Sequence, residues 1–419
     1  MSFETISVVG LGYIGLPTAA MFASRKKKVI GVDVNQHAVN TINRGEIHIV
    51  EPDLDMLVSA AVQQGYLKAV TTPEAADAFL IAVPTPFKEC ADGEIPEPDL
   101  RFIEAASKAI APVLKKGDLV ILESTSPVGA TEQMAKWLAE ARGDLTFPQV
   151  GGENADVNIA HCPERVLPGH VVRELVENDR VIGGMSSRCS ERSVELYKTF
   201  VSGDCVITNA RTAEMAKLTE NSCRDVQIAF ANELSMICDE LDIDVWELIS
   251  LANRHPRVNI LQPGPGVGGH CIAVDPWFIV SKTPEIAKII HTARNVNDYK
   301  PEWVIDKVKV AVADFLNANP TKTAKDVTIA CYGLAFKPDI DDLRESPALD
   351  ITKYIAKNHV GKVLAIEPNI NSIDVIDVEL VSLDESLTRT DIHVMLVDHK
   401  QFKKIKLDDA FVIDTKGIW

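Results

Sequence analysis

No apolar run in this sequence reaches the ~18 residues of a membrane span; the longest are strand-sized. No pair of its eight cysteines has CxxC spacing, so neither a zinc ribbon nor a redox dithiol is predicted, and no metal is expected. Positive charge is not in excess. The 43 Lys and Arg stand against 60 Asp and Glu, a formal charge of −17, which disfavours non-specific binding to nucleic acid or to an anionic membrane. An anionic ligand must therefore find a local cluster of cations. The opening MSFETISVVG lacks a basic segment and a small-residue cleavage site, and reads as a strand rather than a signal peptide. Scattered free thiols fit a reducing compartment, so a cytoplasmic protein is expected. Low-complexity segments and short repeats are also missing.

What is present is an alternation. At 419 residues and 46% hydrophobic, the chain has material for two or three domains. TISVVG (5–10), KVIGVDV (28–34), AFLIAVP (78–84), DLVILES (118–124), VNIAHCP (157–163) and RVIGG (180–184) are short, β-branched and apolar on both faces. That pattern predicts a buried parallel sheet, with helices such as 16–25 and 101–116 between the strands. From Thr208 the strand signal stops and one long helix is predicted, with Met215, Leu218, Cys223, Val226, Phe230, Leu234 and Ile237 as its apolar stripe. VWELISLANR and residues 284–318 read as further helices. Strands return at 326–338, 361–370, 391–399 and 410–417. The predicted fold is α/β: two Rossmann-like domains (1–207 and 319–419) joined by a helical middle (208–318) whose long helix is a spine and a candidate dimer surface.

Gly10-Leu11-Gly12-Tyr13-Ile14-Gly15 is a GxGxxG placed after a strand and at the opening of a helix. In that context the glycines give a tight turn, close approach to a pyrophosphate and close helix packing. Asp33 ends the next strand, where its carboxylate suits the ribose hydroxyls of NAD and repels a 2′-phosphate. Thr85, between two prolines, and Glu123-Ser124-Thr125-Ser126 lie at neighbouring strand ends and face the same cleft or merely cap the next helix. The later run Gly333-Leu334-Ala335-Phe336-Lys337 lacks the third glycine and is followed by Pro338 and acids, so a second NAD is not predicted there. Lys337, Arg344 and Lys416 are cations able to hold a phosphate, against the alternative of plain surface charge.

The stretch GPGVGGHCIAVDPW (264–277) singles out Cys271 as the candidate nucleophile, since the other cysteines fall in predicted strands or helices. Its neighbour His270 is a poor base, because adjacent side chains point apart. Asp275 comes to face the same way if the chain turns helical after Gly269. Lys217, Asn221 and Arg224 share one face of the long helix, either as polar partners of the thiol or as a solvated stripe. NAD with a cysteine nucleophile points to oxidation through an aldehyde.

Seven motifs, in order, now carry a resemblance: GLGYIGLP, PTP, ESTSPVG, CPERVLPG, AEMAKLTEN, GPGVGGHCIAVDP and GLAFKPDIDDLRESP. Together they resemble the nucleotide-sugar 6-dehydrogenases, the UDP-glucose/GDP-mannose dehydrogenase family, along nearly the whole chain. The resemblance implies a four-electron, NAD-dependent oxidation of a sugar C6 alcohol to a carboxylate through a cysteine thiohemiacetal and thioester. It implies Cys271 as nucleophile, Lys217 and Asn221 as proton shuttle and oxyanion donors, and Asp275, with Glu164 and Thr125, about the hydrolytic water. NAD positions by the match are Gly10, Gly12, Tyr13, Ile14, Gly15, Asp33, Thr85, Thr125 and Ser126. UDP-sugar positions by the match are Arg165, Val166, Lys217, Asn221, Arg224, His255, Arg257, Gly268, Phe336, Lys337, Arg344 and Lys416. A homodimer is implied too. The family's UDP-glucose members resemble GGxCFPKD about the nucleophile, whereas this chain has GGHCIAVD, with Val274 in place of Lys and Ile340 where they tend to have Thr. The resemblance is therefore to the N-acetylhexosamine branch.

Overall fold

The computed structural model describes residues 3–419 except 50, 92, 168, 270, 371, 373–377, 408 and 409. The chain divides into two compact units: Met1–Glu220 with Trp277–Lys282, and Asn221–Pro276 with Thr283–Trp419.

The first unit carries β1 (Thr5–Val9), β2 (Lys28–Val32), β3 (Leu67–Val70), β4 (Ala78–Ile81), β5 (Leu119–Leu122), β6 (Asn158–His161), β7 (Arg180–Gly184) and β8 (Cys205–Asn209). They form one sheet in the order β3-β2-β1-β4-β5-β6-β7-β8, parallel except where β7 runs against β6. Period-2 alternation sends Leu80 and Ile121 into one apolar layer and Phe79, Ile81, Val120 and Leu122 into the other. Burial on both faces is why these strands read as continuous apolar runs. Two strands escape that signal. β3 is short and exposes Lys68, and β8 is an edge strand whose Val206 and Ile207 are more than half exposed.

The second unit carries β9 (Thr328–Tyr332), β10 (Lys362–Ile366), β11 (Glu379–Leu380), β12 (Ile392–Met395) and β13 (Phe411–Asp414). All pair in parallel, in the order β11-β10-β9-β12-β13. This is the same winding as the first five strands of the larger sheet, so the two sheets are a topological repeat. The two-residue β11 carries no pattern a sequence could show.

The predicted long helix is Ala210–Glu240, followed by helices Val245–Ala252, Asp275–Lys282 and Lys288–Ala318. Its expected apolar stripe is only partly its buried side. Leu218 is fully buried and Val226 and Leu234 are half-buried, but Met215, Cys223, Phe230 and Ile237 are exposed, and Glu214, Ser222, Asp225 and Asn232 are buried. In the second unit that inner side is a polar lattice. Arg294 Nη1 donates to Asp225 Oδ1 at 2.6 Å, Asn297 Nδ2 to the same oxygen at 2.8 Å, and Asn232 Nδ2 to Asn297 Oδ1 at 2.9 Å. Apolar periodicity locates an inner face only when the inner face is apolar.

Candidate active site

At the end of β1 the chain turns through Gly10 at φ +90° into helix Gly15–Ser24. A Cβ on Gly15 would stand 1.8 Å from the Gly10 carbonyl oxygen, so the helix start sits directly on the turn. A Cβ on Gly12 would meet nothing within 4 Å, leaving open space over that backbone. Asp33 braces the turn: its Oδ2 accepts from Leu11 N at 2.8 Å and its Oδ1 from Asn35 N at 2.8 Å. Tyr13 is exposed and Ile14 half-buried on the shoulder of the turn. The open backbone at a helix N-terminus, with a carboxylate at the next strand end, fits a dinucleotide pyrophosphate and ribose.

The ends of β4 and β5 are stitched together alongside. Thr85 Oγ1 donates to Thr125 O at 2.7 Å, Ser124 Oγ to Val83 O at 2.7 Å, and Ser126 Oγ to Ser124 O at 2.7 Å. The Thr85 and Ser124 hydroxyls thus fix two loops to each other, and that of Ser126 braces its own loop, rather than capping the helices that follow. The ESTSPVG loop has a further anchor that sequence reasoning missed. Buried Glu214 accepts from Gly129 N at 2.6 Å, Thr131 N at 2.8 Å and Thr131 Oγ1 at 2.6 Å. A carboxylate inside a helical pattern gives no hint of a partner so distant in sequence.

Glu164 is also placed by partners the sequence did not reveal. It is buried and ion-paired to the buried Arg180 at 2.7 Å, and its other oxygen accepts from Arg165 N at 2.7 Å. Arg180 also lies 4.9 Å from the Tyr197 ring. Beside them the Tyr197 hydroxyl donates to Glu123 Oε1 at 2.6 Å, and burial pushes the Glu123 carboxyl up to about 7. Arg165 pairs with Glu220 at 2.7 Å, and Val166 is half-buried next to it.

In the second unit the loop before Cys271 is built around its glycines. Gly268 sits against the chain: an added Cβ would lie 2.5 Å from Glu345 O and 3.0 Å from Phe336 Cβ. Gly269 N donates to Glu345 O at 3.2 Å. The segment Phe336–Glu345 and the loop before Cys271 are thereby packed backbone to backbone. Lys416 Nζ is 3.6 Å from where a Gly264 Cβ would be and 3.5 Å from Asp398 Oδ1. Lys337 is exposed, and Arg344 makes a bidentate pair with Asp342, at 2.6 Å for the closer contact.

From Cys271 the chain does turn helical. Cys271 O accepts from Asp275 N at 2.9 Å, so residues four apart stand one turn from each other. Cys271 is exposed, Asp275 is buried, and Asn221 Nδ2 donates to Asp275 Oδ2 at 2.5 Å. Lys217 and Arg224 lie on the same helix as Asn221, half-buried and exposed respectively. His255 and Arg257 occupy an exposed segment, Arg257 N donating to His255 Nδ1 at 3.3 Å. His270 lies outside the described residues. One expectation needs correction. Cys90 lies in an exposed loop and Cys223 is exposed on its helix, so exposure alone does not single out Cys271. Cys271 differs from them in lying one turn before the buried Asp275 that Asn221 holds.

Three profiles match along the chain: the NAD binding domain of the UDP-glucose/GDP-mannose dehydrogenase family over residues 4–201, its central domain over 211–299 and its UDP binding domain over 330–419. The chain belongs to the UDP-glucose/GDP-mannose dehydrogenase family. It is an NAD-dependent dehydrogenase, as this family is. It is similar to the UDP-N-acetyl-D-mannosamine dehydrogenase of Yersinia pestis, 70% identical over 100% of both chains. It is also similar to the NDP-N-acetyl-D-galactosaminuronic acid dehydrogenase of Ralstonia nicotianae, 63% identical over 100% of this chain and 97% of that one. Among solved structures, the UDP-D-ManNAc dehydrogenase of Pyrococcus horikoshii matches with a TM-score of 0.86 and 38% identity, over 99% of this chain and 96% of that one. Among the described residues no helix is long and apolar enough to cross a membrane, and no His, Cys, Asp and Glu cluster could hold a metal ion.

Proposed function

We infer that this dehydrogenase oxidises UDP-N-acetyl-D-mannosamine at C6 to UDP-N-acetyl-D-mannosaminuronate, in four electrons, with water as the last reactant. The observation that carries the reading is the Cys271–Asp275–Asn221 arrangement: an exposed thiol one helical turn from a buried carboxylate that an amide holds. A thiol is needed only if the aldehyde is oxidised further.

The chemistry that bound NAD would supply is hydride acceptance from C6, by a first NAD for alcohol to aldehyde and by a second for thiohemiacetal to thioester. Lys217 takes the proton of the C6 hydroxyl. The Cys271 thiolate adds to the aldehyde carbon, and Lys217 and Asn221 steady the oxyanion that forms. Asp275 accepts a proton from the water that attacks the thioester carbon, releasing the carboxylate and the thiol. Glu164, locked to Arg180, and Thr125 act as fixed polar neighbours. Gly10, Gly12, Tyr13, Ile14, Gly15, Asp33, Thr85, Thr125 and Ser126 hold the cofactor. Arg165, Val166, Arg224, His255, Arg257, Gly268, Phe336, Lys337, Arg344 and Lys416 hold the UDP-sugar. The functional parts follow the motifs: 1–207 for NAD, 208–318 for chemistry and dimerisation, and 319–419 for UDP.

The sugar is supported by the mannosamine-specific names of relatives identical at up to 70%. The 63% relative named for a galactosaminuronic acid supports a second reading, an N-acetylgalactosamine or N-acetylglucosamine substrate. A panel of UDP-hexosamines assayed for NADH separates these readings. UDP-N-acetyl-D-mannosamine should give two NADH per sugar and the highest kcat/KM. One NADH per sugar sinks the thioester route, and a faster epimer replaces the substrate. The product would enter cytoplasmic synthesis of a surface polysaccharide of the enterobacterial common antigen type. A homodimer is supported by the exposed Phe230, Ile237, Leu241, Ile243 and Leu251 along and just beyond the long helix. Light scattering should give twice the chain mass, and Phe230→Glu should halve it.

A further inference from the structure

The second Rossmann repeat keeps an acid where the first has Asp33. Glu367 directly follows β10 as Asp33 directly follows β2, and its Oε2 accepts from Leu334 N at 2.8 Å, as Asp33 Oδ2 accepts from Leu11 N. The surroundings differ. Asp33 is partly open, whereas Glu367 is buried beneath His399, itself fully buried. Oε2 of Glu367 also accepts from Ala335 N at 3.1 Å, and Oε1 accepts from Asn369 N at 3.1 Å and Asn369 Nδ2 at 3.0 Å.

The imidazole closes the arrangement from the other side. Asp339 N approaches His399 Nδ1 at 2.9 Å. A backbone N–H can only donate, so Nδ1 is the acceptor and the ring proton sits on Nε2, 2.9 Å from Glu367 Oε2. Asn369 Nδ2 lies 3.1 Å from the same Nδ1. The stretch Leu334–Asp339 is thus pinned at both ends by one carboxylate–imidazole pair. Asp339 adopts φ +63°, a backbone state that a non-glycine residue holds only when its surroundings enforce it. Its side chain accepts from Lys400 N at 3.1 Å as well.

Between the two pins lie Phe336 and Lys337. Phe336 is also the side chain that meets the glycine loop, 3.5 Å from where a Gly269 Cβ would be. We propose that Glu367 and His399 are positioning residues for the nucleotide of the substrate: an acid that binds ribose in the first repeat has become, in the second, half of a clamp that sets the Phe336–Lys337 segment. This rests on the UDP-sugar role given to those two residues above.

The clamp is tested by titrating UDP, and separately NAD, into the full-length protein and two isosteric variants. His399→Asn keeps an acceptor at the Nδ1 position and loses the bond to Glu367. His399→Gln keeps a donor at the Nε2 position and loses the acceptor for Asp339 N. UDP affinity should fall about tenfold in both variants, since each breaks one of the two bonds by which the imidazole joins Glu367 to Asp339, with NAD affinity unchanged in both. Wild-type UDP affinity in either variant, or a matching loss of NAD affinity, overturns the clamp alone. A wild-type protein that binds NAD but no UDP overturns both the clamp and the UDP-sugar reading. Thermal unfolding of each variant identifies one that fails to fold. In that case Asp339→Gly, which relaxes the strained backbone without opening a cavity, must leave UDP affinity intact if the clamp's task is to hold that conformation, and a tenfold loss overturns it.

Discussion

Asn221 and Asp275 are joined by an amide-to-carboxylate hydrogen bond of 2.5 Å, and Asp275 N in turn bonds the carbonyl of Cys271. A carboxylate held in this way is an acceptor with its orientation fixed, next to the residue that would carry the acyl group. Asp275→Asn keeps the volume and removes the base. Steady turnover should fall by ~10²–10⁴, and Cys271 should accumulate as a thioester, visible as a sugar-nucleotide adduct in the intact mass. Slow turnover with no adduct would move the effect to an earlier step. Cys271→Ala should bind NAD as the wild type does and give no acid; acid formed at the wild-type rate refutes the nucleophile.

The glycines of the two loops make opposite predictions. Gly12 has nothing within 4 Å of an added Cβ, so Gly12→Ala should fold with an unchanged Tm yet occupy the space the pyrophosphate needs. Its NAD affinity should drop at least ~10-fold, read by fluorescence titration. At Gly268 the Cβ would be 2.5 Å from a carbonyl oxygen of the same unit, so Gly268→Ala should cost about 1–3 kcal/mol before any substrate is added. Retained NAD affinity in Gly12→Ala, or an unshifted Tm in Gly268→Ala, contradicts these assignments.

The contrast also shows how far the sequence could be read. Parallel strands buried on both faces announce themselves, as β1, β2, β4, β5 and β9 did. So does a glycine turn with an acid one strand later. The packing of the loop before Cys271 was not legible: Gly268 and Gly269 answer to Glu345 and Phe336, far along the chain. Buried polar side chains were the blind spot. Glu214, Asp225, Asn232, Glu367 and Arg180 are identifiable only through partners that folding brings to them, and the first three lie on the buried side of the long helix beside Leu218. β8 was hidden for a related reason, since an edge strand need not be apolar on both sides.

Asp33 holds two backbone amides, Leu11 N and Asn35 N, besides facing the proposed ribose. Removing it should therefore act on shape and on cofactor choice together. Asp33→Ala should destabilise the protein by about 1–2 kcal/mol of lost charge-assisted bonding, seen as a modestly lower Tm, weaken NAD binding and narrow the preference for NAD over NADP. Asp33→Asn keeps one acceptor oxygen and should recover less of the discrimination than of the stability. Identical NAD and NADP kinetics in wild type and both variants would leave Asp33 a purely structural brace.

Glu123 offers a test of electrostatics independent of turnover. It is buried, bonded by the Tyr197 hydroxyl, and its carboxyl is raised from 4.5 to about 7, chiefly by loss of hydration and against the pull of Arg180. Between those two pH values the folded protein keeps a proton that the unfolded chain has released. Its contribution is therefore fully present below pH 4.5 and is lost as pH rises through 7. The loss amounts to about 3 kcal/mol at ~1.4 kcal/mol per pH unit. Glu123→Gln retains an acceptor for Tyr197 and cannot ionise, so it abolishes this slope. Urea unfolding at pH 5 and pH 8 should show the wild type losing about 3 kcal/mol more than the variant across that interval. Parallel losses would mean that Glu123 is ionised in the folded protein at both pH values, held so by Arg180.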